Sequence, residues 1–421
     1  MRSRPTLLFV APIMPAATGN GLAMRAGVFL DALAHDFAVT LLVVPVAGLG
    51  PGSLSPYVSE RSQRTVTLSL DGTLDPLWAL VERVAEPEAR AAAIASYPRP
   101  ALCRNATRQC LDAAARTFAG ARFDAVHVMR SYMAPYAERF LPGSGGLAAP
   151  FASLDLDDDE AETHRRLAAL AVRAGAAHDA RVAAAEAAKF ARHEETWRPR
   201  FQLLIACTRA HAAKVAATGR GIDTAVVPNT VALPAVPRRQ PRPGRRLLFV
   251  GNLSYLPNVD GICNFVREVL PRLRTLRSDD IVLRIAGSAP APAVAALAAL
   301  PGVELIADPV DLASSYAWAD LAVIPLSAGG GTRIKLLEAF AHGVPAVATG
   351  IGAEGIAAQH GTHLLIADTP EAFAEACALV LSDSVLGAHL AKAARGIVES
   401  AYSHAAGVRA IHAAFARALP V

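Results

Sequence analysis

Short aliphatic runs alternate with longer stretches of helical periodicity from the beginning of the chain. A run of Val, Leu and Ile bounded by turn residues is typical of a buried strand, whereas periodic stretches of about ten or more residues indicate helices. On this basis the first half contains a helix at Ala23–His35, a long helical segment at about 160–200, and strands at Leu7–Ala11, Val39–Val44, Ala125–Met129, Phe151–Leu156, Leu203–Cys207 and Ala225–Val227.

The same alternation starts again after a proline-rich interruption at 237–244. Predicted strands in the second half are Leu247–Val250, Ile281–Ala286, Val303–Ile306, Leu321–Ile324, Ala346–Ala348 and Thr362–Ile366. Predicted helices are Gly261–Arg274, Ala291–Leu300, Asp311–Ala317, Arg333–Ala341 and Pro370–Leu381. Strands that alternate with helices in this way indicate βαβ units and parallel sheets.

The fold class predicted is α/β, with two Rossmann-like domains that face an inter-domain cleft. We expect an N-terminal domain over 1–236, a stiff linker at 237–244, a C-terminal domain over 245–400 and a final helix over 401–421. That last helix could pack back on the N-terminal domain. Ligands of open α/β sheets bind outside the carboxyl ends of the strands, so the loops after the strands are where chemistry is expected.

Composition and charge exclude several classes of protein. A net charge of +4 without a Lys/Arg-rich block disfavours nucleic-acid binding. The five cysteines lack the spacing of a disulfide framework or a zinc site. No uninterrupted apolar run reaches the roughly 18 residues of a membrane-spanning helix. We therefore expect a cytoplasmic protein without a transmembrane segment, for which peripheral membrane contact stays open.

A glycine-rich loop follows the predicted strand at Leu321–Ile324 and leads directly into a helix. Gly330 and Gly331 free the backbone to approach a ligand, and Thr332 is predicted to cap the helix. Arg333 and Lys335 place two cations in the first helical turn, where the helix dipole disfavours them unless an anion shares the site. The pattern predicts a phosphate site.

Helical spacing places Lys335 and Glu338 on one face of this helix. That face can pair a cation for phosphate with a carboxylate for sugar hydroxyls. The alternative is an ordinary Lys–Glu pair three residues apart on a surface helix. The order of strand, glycines, Thr332, cations and Glu338 favours the ligand site.

This segment resembles the donor-site motif of GT-B glycosyltransferases, in particular of the retaining family 4. The resemblance implies that Glu338 binds the ribose hydroxyls of a nucleotide. Gly330 stands where most members of that family have a first glutamate, so the group that holds the transferred sugar is left open. The chain is similar to a subset that reads Gly-Gly-Gly-Thr-Arg-x-Lys-x-x-Glu-Ala from residue 329.

Two further loops of the C-terminal half bear on the donor. Members of the family often carry an Arg and a Lys after the first strand of this domain, but the loop at 251–261 has no cation. Asn252 and Asn258 of this loop could bond the donor or could be simple turn residues. Glu354 lies in a Gly-rich loop that matches the family's donor-side loop, with an ordinary turn as the alternative.

The N-terminal half offers candidates for the opposite side of the reaction. Gly19 and Gly21 follow the first strand and resemble the glycine loop that in the family approaches the donor phosphate and the acceptor, so we expect them to bind the donor. Arg25 lies in the helix beyond. His127, near the carboxyl end of a predicted strand, corresponds to a histidine that contacts the donor sugar in the family. A core position is the alternative. We expect His127 and Glu338 to be the catalytic residues.

Asp155 and Asp157 form a DxD pattern after a predicted strand. In GT-A glycosyltransferases this pattern binds manganese, but the domain pattern here favours GT-B, so no metal is expected. We expect Arg25, Asp155 and Asp157 to lie on the acceptor side. Acidic residues ahead of a long helix also favour its amino terminus.

The resemblance implies transfer of a sugar from a nucleoside diphosphate sugar with retention of anomeric configuration, without a metal or another cofactor. The partners expected are the nucleotide-sugar donor and an acceptor that is a glycan, a lipid-linked sugar or a small natural product. Two alternatives stay open: a nucleotide-sugar epimerase of the same fold, and a non-catalytic nucleotide-sugar-binding subunit. A dinucleotide-dependent oxidoreductase is disfavoured because no G-x-G-x-x-G opens a helix with an acidic residue about 20 residues further on.

Overall fold

The computed structural model describes residues 4–46, 54–218, 221–235, 245–277 and 280–419. The chain divides into two compact units, one containing residues up to Asn229 and from Gly407 onwards, the other Thr230 to Ala406. The boundary thus lies several residues before 236. The linker predicted at 237–244 lies outside the described residues.

The first unit is built on a seven-stranded parallel sheet with the order β3-β2-β1-β4-β5-β6-β7. Its strands are β1 (Thr6–Ala11), β2 (Ala38–Val43), β3 (Arg64–Thr67), β4 (Ala125–Met129), β5 (Phe151–Asp157), β6 (Leu203–Ala206) and β7 (Asp223–Val226). Its helices are α1 (Gly21–Asp36), α2 (Pro56–Ser59), α3 (Pro76–Glu82), α4 (Pro87–Ser96), α5 (Arg108–Thr117), α6 (Ala134–Ala137), α7 (Glu160–Arg173), α8 (Ala177–Trp197) and α9 (Arg209–Thr218).

The second unit is a six-stranded parallel sheet with the order β10-β9-β8-β11-β12-β13. Its strands are β8 (Arg246–Val250), β9 (Val282–Gly287), β10 (Val303–Ala307), β11 (Leu321–Ile324), β12 (Ala346–Ala348) and β13 (Leu365–Ile366). Its helices are α10 (Leu256–Asn264), α11 (Leu270–Leu276), α12 (Pro292–Ala295), α13 (Ala313–Trp318), α14 (Ile334–Ala341), α15 (Gly350–Ala353), α16 (Pro370–Ser382) and α17 (Ser384–Ile397).

Short irregular helices complete the backbone. Single 3₁₀ turns lie at Ala101–Cys103, Ser131–Met133, Glu138–Phe140, Arg198–Arg200 and Ala296–Ala299. π-helical segments at Phe265–Val269 and Val398–Tyr402 extend α10 and α17. The last helix, α18, spans His404–Ala418.

Both units have the α/β fold class predicted, with a doubly wound parallel sheet in each. The central strands read as unbroken aliphatic runs because helices cover both faces of the sheet. Every residue of β4 and β5 is buried. The largest departures lie elsewhere: β13 contains only Leu365–Ile366 of the strand predicted at Thr362–Ile366, and the helix predicted from Gly261 begins at Leu256.

The end of the chain contributes to the core of the first unit. Ile411, Ala414 and Phe415 of α18 are buried in one hydrophobic cluster with residues of β1, β2 and α1. The Phe415 ring lies 6.0 Å from the ring of Phe151 and meets it edge to face. This helix is therefore part of the first unit's hydrophobic core.

Within the described residues, no single helix has both the length and the hydropathy of a membrane span. The segments Pro370–Ser382 and Ser384–Tyr402 satisfy these two criteria only when they are counted together, and they are bent by 100° with respect to each other.

Candidate functional site

The strand order of the second unit determines where its ligand site is expected. The sheet is built outward in two directions from the neighbouring strands β8 and β11, so the loops that follow them diverge to opposite faces. Such a switch point leaves a crevice at the carboxyl ends of the strands. The loop after β8 contains Asn252, and the loop after β11 contains the predicted glycine-rich segment.

The loop after β8 packs so closely that it requires glycine. A Cβ atom on Gly251 would lie 2.8 Å from Asn258 Nδ2 and 3.2 Å from Lys335 Nζ. Gly287, with a φ of +159°, faces the backbone of Gly251, whose carbonyl oxygen would lie 1.7 Å from a Cβ there. These contacts bring the side chains of Asn258 and Lys335 against the end of β8.

Lys335 is the cation at the centre of this arrangement. Its ammonium group donates a hydrogen bond to Asn258 Oδ1 and lies 5.1 Å from the centre of the Phe249 ring. Asn258 is buried, and its Nδ2 donates to the carbonyl oxygen of Asn252 at 2.7 Å. Burial, followed by repulsion from Arg333, lowers the pKa of Lys335 to about 7. The sequence-predicted residues Asn252, Asn258 and Lys335 thus form one chain of contacts.

The amino terminus of α14 lies beside Lys335 and has no side-chain cap. The helix begins at Ile334, and its N-cap position is Arg333 rather than the predicted Thr332. The Thr332 hydroxyl is buried and has no hydrogen-bond partner within the described residues. An uncapped helix end and an unsatisfied buried hydroxyl both favour a ligand that can accept hydrogen bonds.

Arg333 has a different role from the one its position suggests. Its guanidinium group is buried and bonds the backbone of the loops around it. Its partners are Gly329 O at 3.2 Å, Gly330 O at 2.5 Å, Gly331 O at 3.3 Å, Ile351 O at 2.8 Å and Glu354 Oε2 at 3.3 Å. The fork of donors therefore holds the glycine loop in shape, and its charge can act on a ligand only at longer range.

Glu338 lies one helical turn after Lys335, as predicted. Its Oε2 accepts a hydrogen bond of 3.1 Å from the Tyr316 hydroxyl. The Tyr316 ring stacks on His342 with 4.4 Å between ring centres. Burial raises the pKa of Glu338, and the hydrogen bond from Tyr316 opposes that shift. No sequence signal marks Tyr316 as a partner of this carboxylate, because it lies on another helix.

In the first unit, the structure places His127 in the core. Its side chain is 0% exposed and stacks on Phe29 with 4.6 Å between ring centres. Nδ1 lies 2.9 Å from Ser153 Oγ. The residue is in the middle of β4 rather than at its end, so the backbone presents it to the packed face of the sheet. The interpretation of His127 as a group that contacts a sugar is wrong for this conformation.

Arg25 and Asp155 are also withdrawn from solvent. Arg25 Nη2 lies 2.6 Å from Asp155 Oδ1 and its Nε lies 2.7 Å from Oδ2, a bidentate pair that is almost completely buried. Nη1 of Arg25 donates to Val227 O and Asn229 Oδ1, each at 3.0 Å. These partners join α1 to the ends of β5 and β7. The pair acts on the fold, and neither residue reaches an acceptor in this conformation.

A cluster that the sequence analysis missed surrounds Asp157 at the ends of β4 and β5. Arg130 has a φ of 74° and lies at the exit of β4, next to the switch point between β1 and β4. Its Nη1 is 3.2 Å from Asp157 Oδ2 and 3.7 Å from Glu160 Oε1. Burial raises the pKa of Glu160 to about 7. The rule that places ligands at switch points could have singled out Arg130.

Asp157, Asp158 and Cys207 have ligand atoms within 4.8 Å of one another. Arg130 lies 3.4 Å from Asp158, and Asn229 Nδ2 donates to Asp157 at 3.0 Å. Both carboxylates thus have polar protein partners in this conformation.

The predicted glycine loop of this unit is exposed. Gly19 has a φ of +115°, and Gly21 is the first residue of α1, which Asn20 caps through a 2.9 Å bond to Ala23 N. Further along α1, a Cβ on Gly27 would lie 2.2 Å from Ala16 O, so the helix and this loop are in close contact.

Solved structures resemble the whole chain. Sucrose-phosphate synthase from Thermosynechococcus elongatus superimposes with a TM-score of 0.67 and 14% identity, over 98% of this chain and 99% of that one. TarM matches with a TM-score of 0.65 and 9% identity over 98% of each chain. HepE from Anabaena, in complex with UDP and glucose, matches with a TM-score of 0.58 and 12% identity, over 98% of this chain and 100% of that one. The chain has the GT-B fold.

The matches found by sequence comparison are shorter than those found by structure. Residues 244–383 match the family described as "Glycosyl transferases group 1". An uncharacterized 44.6 kDa protein in the cps region of Klebsiella pneumoniae is 32% identical over 137 residues, which is 31% of this chain and 35% of that protein. The match thus spans about a third of that relative's length.

A core position for His127 predicts a measurable acid sensitivity. Burial lowers the pKa of His127 from 6.5 to about 3 in the folded state. The unfolded chain therefore binds a proton below about pH 6.5 that the folded chain does not, so this residue costs stability as pH falls towards 3. We expect His127→Leu to flatten the fall in the free energy of unfolding between pH 7 and pH 5, as measured by urea denaturation.

At neutral pH we expect His127→Ala to lower the free energy of unfolding by about 2–4 kcal/mol, because it opens a cavity among aromatic rings. The exposed His178 of the same unit provides the control. If His127→Leu and His178→Leu show the same pH profile as the wild type, the core position is refuted.

Proposed function

We propose that this protein transfers a sugar from a nucleoside diphosphate sugar to an acceptor hydroxyl, with retention of configuration and without a metal ion. The observation that carries the proposal is the buried Lys335 ammonium group beside the uncapped end of α14, at the switch point of the second sheet. A buried cation is costly without an anion, and a diphosphate supplies one. The group 1 match over 244–383 covers all of these residues.

The site offers separate groups for each part of such a donor. Lys335 and the end of α14 would face the diphosphate, with the unsatisfied Thr332 hydroxyl as a further donor. Glu338, oriented by Tyr316, would accept hydrogen bonds from the ribose hydroxyls. Arg333 would act through the glycine loop that it holds. Glu354, which is half-exposed and bonded to Arg333, belongs to the same support.

The proposed reaction breaks the bond between the anomeric carbon and the diphosphate oxygen and forms a bond from that carbon to the acceptor oxygen on the same face. The proton of the acceptor hydroxyl passes to the departing diphosphate. The protein would mainly position the reactants and stabilise the charge that develops on the phosphate. The complexes of HepE with UDP and glucose and of TarM with UDP and α-GlcNAc-glycerol support a donor of this chemical class.

The first test is the affinity for a nucleoside diphosphate. We expect Lys335→Ala to weaken binding by about 1.5–3 kcal/mol in calorimetry, the scale of a charge-assisted hydrogen bond. Lys392→Ala is the matched control, because Lys392 is an exposed lysine of the same unit. An equal dissociation constant for Lys335→Ala and the wild type would remove Lys335 from the donor site.

The second test uses the depressed pKa of Lys335. At pH 8 a lysine with a pKa of about 7 is mostly neutral, and a bound diphosphate raises that pKa, so binding takes up protons. We expect an uptake approaching one proton per nucleotide sugar at pH 8 and less at pH 6, with affinity that falls as pH rises. Calorimetry in buffers of different ionisation heat measures the uptake.

A nucleotide sugar is the right ligand for this experiment, because its diphosphate is a diester without a titrating proton near neutral pH. In the Lys335→Met protein the uptake should vanish. Binding heats that are independent of the buffer in the wild type at pH 8 would contradict the proposed site.

The third test is the chemistry itself. Mass spectrometry should show slow release of sugar from one member of a panel of UDP-, GDP-, dTDP- and ADP-sugars, both with and without EDTA. Conversion of the donor to an isomer without sugar release would indicate an epimerase, and nucleotide binding without turnover would indicate a non-catalytic subunit. Loss of activity in EDTA with recovery in manganese would point to Asp157, Asp158 and Cys207 as a metal site.

A further inference from the structure

The first unit contains a cavity of about 350 Å³ between α8 and the segments that follow α4 and β4. Four of the side chains that line it are nitrogen bases: Arg99, Lys189, Arg192 and His193. No carboxylate is among the described residues that line the cavity. A concave site with one sign of charge favours a ligand of the opposite sign.

Lys189 is the least exposed of these groups. It is 3% exposed, and its Nζ donates to Ile94 O and to Glu186 Oε1, each at 2.7 Å. An ammonium group has three N–H donors, so one is left without a partner within the described part of the chain. Lys189 lines the cavity, and its Nζ also lies 5.8 Å from the centre of the Tyr97 ring.

The carboxylates that balance the cations lie behind the wall of the cavity. Glu186 holds Lys189 and also accepts a 2.9 Å bond from the Ala101 backbone, which ties the wall to α8. Asp75 pairs with Arg99. Arg192, on the exposed side of α8, has a guanidinium group without a hydrogen-bond or ion-pair partner among the described residues. The excess positive charge of the cavity therefore comes from Arg192.

The rest of the lining is flat and apolar. Pro98, Pro135 and Trp197 present surfaces of the kind on which the C–H faces of a sugar ring pack. His193 Nε2 donates a hydrogen bond of 2.9 Å to the carbonyl oxygen of Ser131, and burial lowers the pKa of His193. It therefore acts as a neutral polar group beside Trp197, with 6.1 Å between the ring centres.

We propose that this cavity binds an anionic sugar unit of the acceptor, with its carboxylate or phosphate on Arg192 and Lys189 and its ring against Trp197. The assignment to an acceptor rests on the proposed sugar transfer, whereas the binding itself does not. A carboxylate and a phosphate present the same oxyanion to a guanidinium fork, and the two sources are separated by the choice of probe.

The test is titration of the full-length protein with single sugars by ligand-observed NMR. Glucuronate carries the carboxylate and glucose 1-phosphate carries the phosphate. Glucose tests whether binding needs the negative charge, and inorganic phosphate tests whether it needs the sugar ring. We expect one of the two anionic sugars to bind at least ten-fold more tightly than glucose and inorganic phosphate. Arg192→Ala should weaken that binding at least five-fold, whereas Arg181→Ala, an exposed arginine of the same helix, should leave it unchanged.

A second variant removes the two paired charges of Lys189 and Glu186 together, so that neither is left buried without its partner. Lys189→Met combined with Glu186→Gln should also weaken the anionic sugar at least five-fold, provided that circular dichroism shows a folded protein. Equal binding of glucose and the anionic sugars, phosphate binding as tight as that of the sugar, no binding, or an Arg192→Ala protein with unchanged affinity would each overturn the proposal. These titrations contain no nucleotide sugar, so they test the cavity independently of sugar transfer. If the protein binds the anionic sugar but never consumes a nucleotide sugar, the proposed sugar transfer is refuted and the proposed binding site is not.

Discussion

The proposed donor site of the second unit rests on the burial of the Lys335 cation between the end of β8 and the start of α14. The ammonium group is held by Asn258, which in turn is fixed by the backbone of Asn252. This arrangement requires Gly251 on one side, since any Cβ there would collide with Asn258. Removing a charge from water is costly, so the fold maintains a site whose electrostatic energy falls when an anion arrives. The lowered pKa of Lys335 reflects this unfavourable free energy of burial.

The first unit also buries a cation, but it pairs that cation with a carboxylate. Arg25 is also a buried cation near the ends of parallel strands, but Asp155 neutralises it with two hydrogen bonds. The guanidinium fork matches a carboxylate in geometry, so the pair is closed and needs no ligand. Both cations are buried, and only the one without a carboxylate in direct contact has a pKa shifted towards its neutral form. Burial alone therefore does not identify a site.

The sequence predicted the central strands well because, in a doubly wound fold, strands that are buried on both faces of the sheet read as unbroken aliphatic runs. The strand Arg64–Thr67 was not predicted, since it is a half-exposed edge strand without such a run. Helical spacing correctly placed Lys335 and Glu338 one turn apart. Spacing could not reveal that Arg333 bonds the carbonyl groups of its own loop, because that depends on the backbone conformation of the glycines. It also could not reveal that Tyr316 bonds Glu338, because the two residues lie on different helices.

His127 shows why a residue type in the right strand is weak evidence for chemistry. Successive residues of a strand point to opposite faces, and in a sheet with helices on both faces the side chains of a central strand are packed on either side. His127 lies on the same face of β4 as Ala125 and Met129, and every residue of this strand is buried, whereas Arg130, beyond the end of β4, leaves the sheet with a φ of 74°. A left-handed conformation at a non-glycine residue is strained and persists where the surroundings enforce it. The Arg130 guanidinium group that follows this turn faces three carboxylates, at 3.2 Å from Asp157, 3.4 Å from Asp158 and 3.7 Å from Glu160. Burial raises the pKa of Glu160 to about 7, with Arg130 opposing the shift and the neighbouring carboxylates adding to it. A carboxyl group with a raised pKa therefore lies beside Arg130, where the sequence pattern had directed attention to the histidine instead.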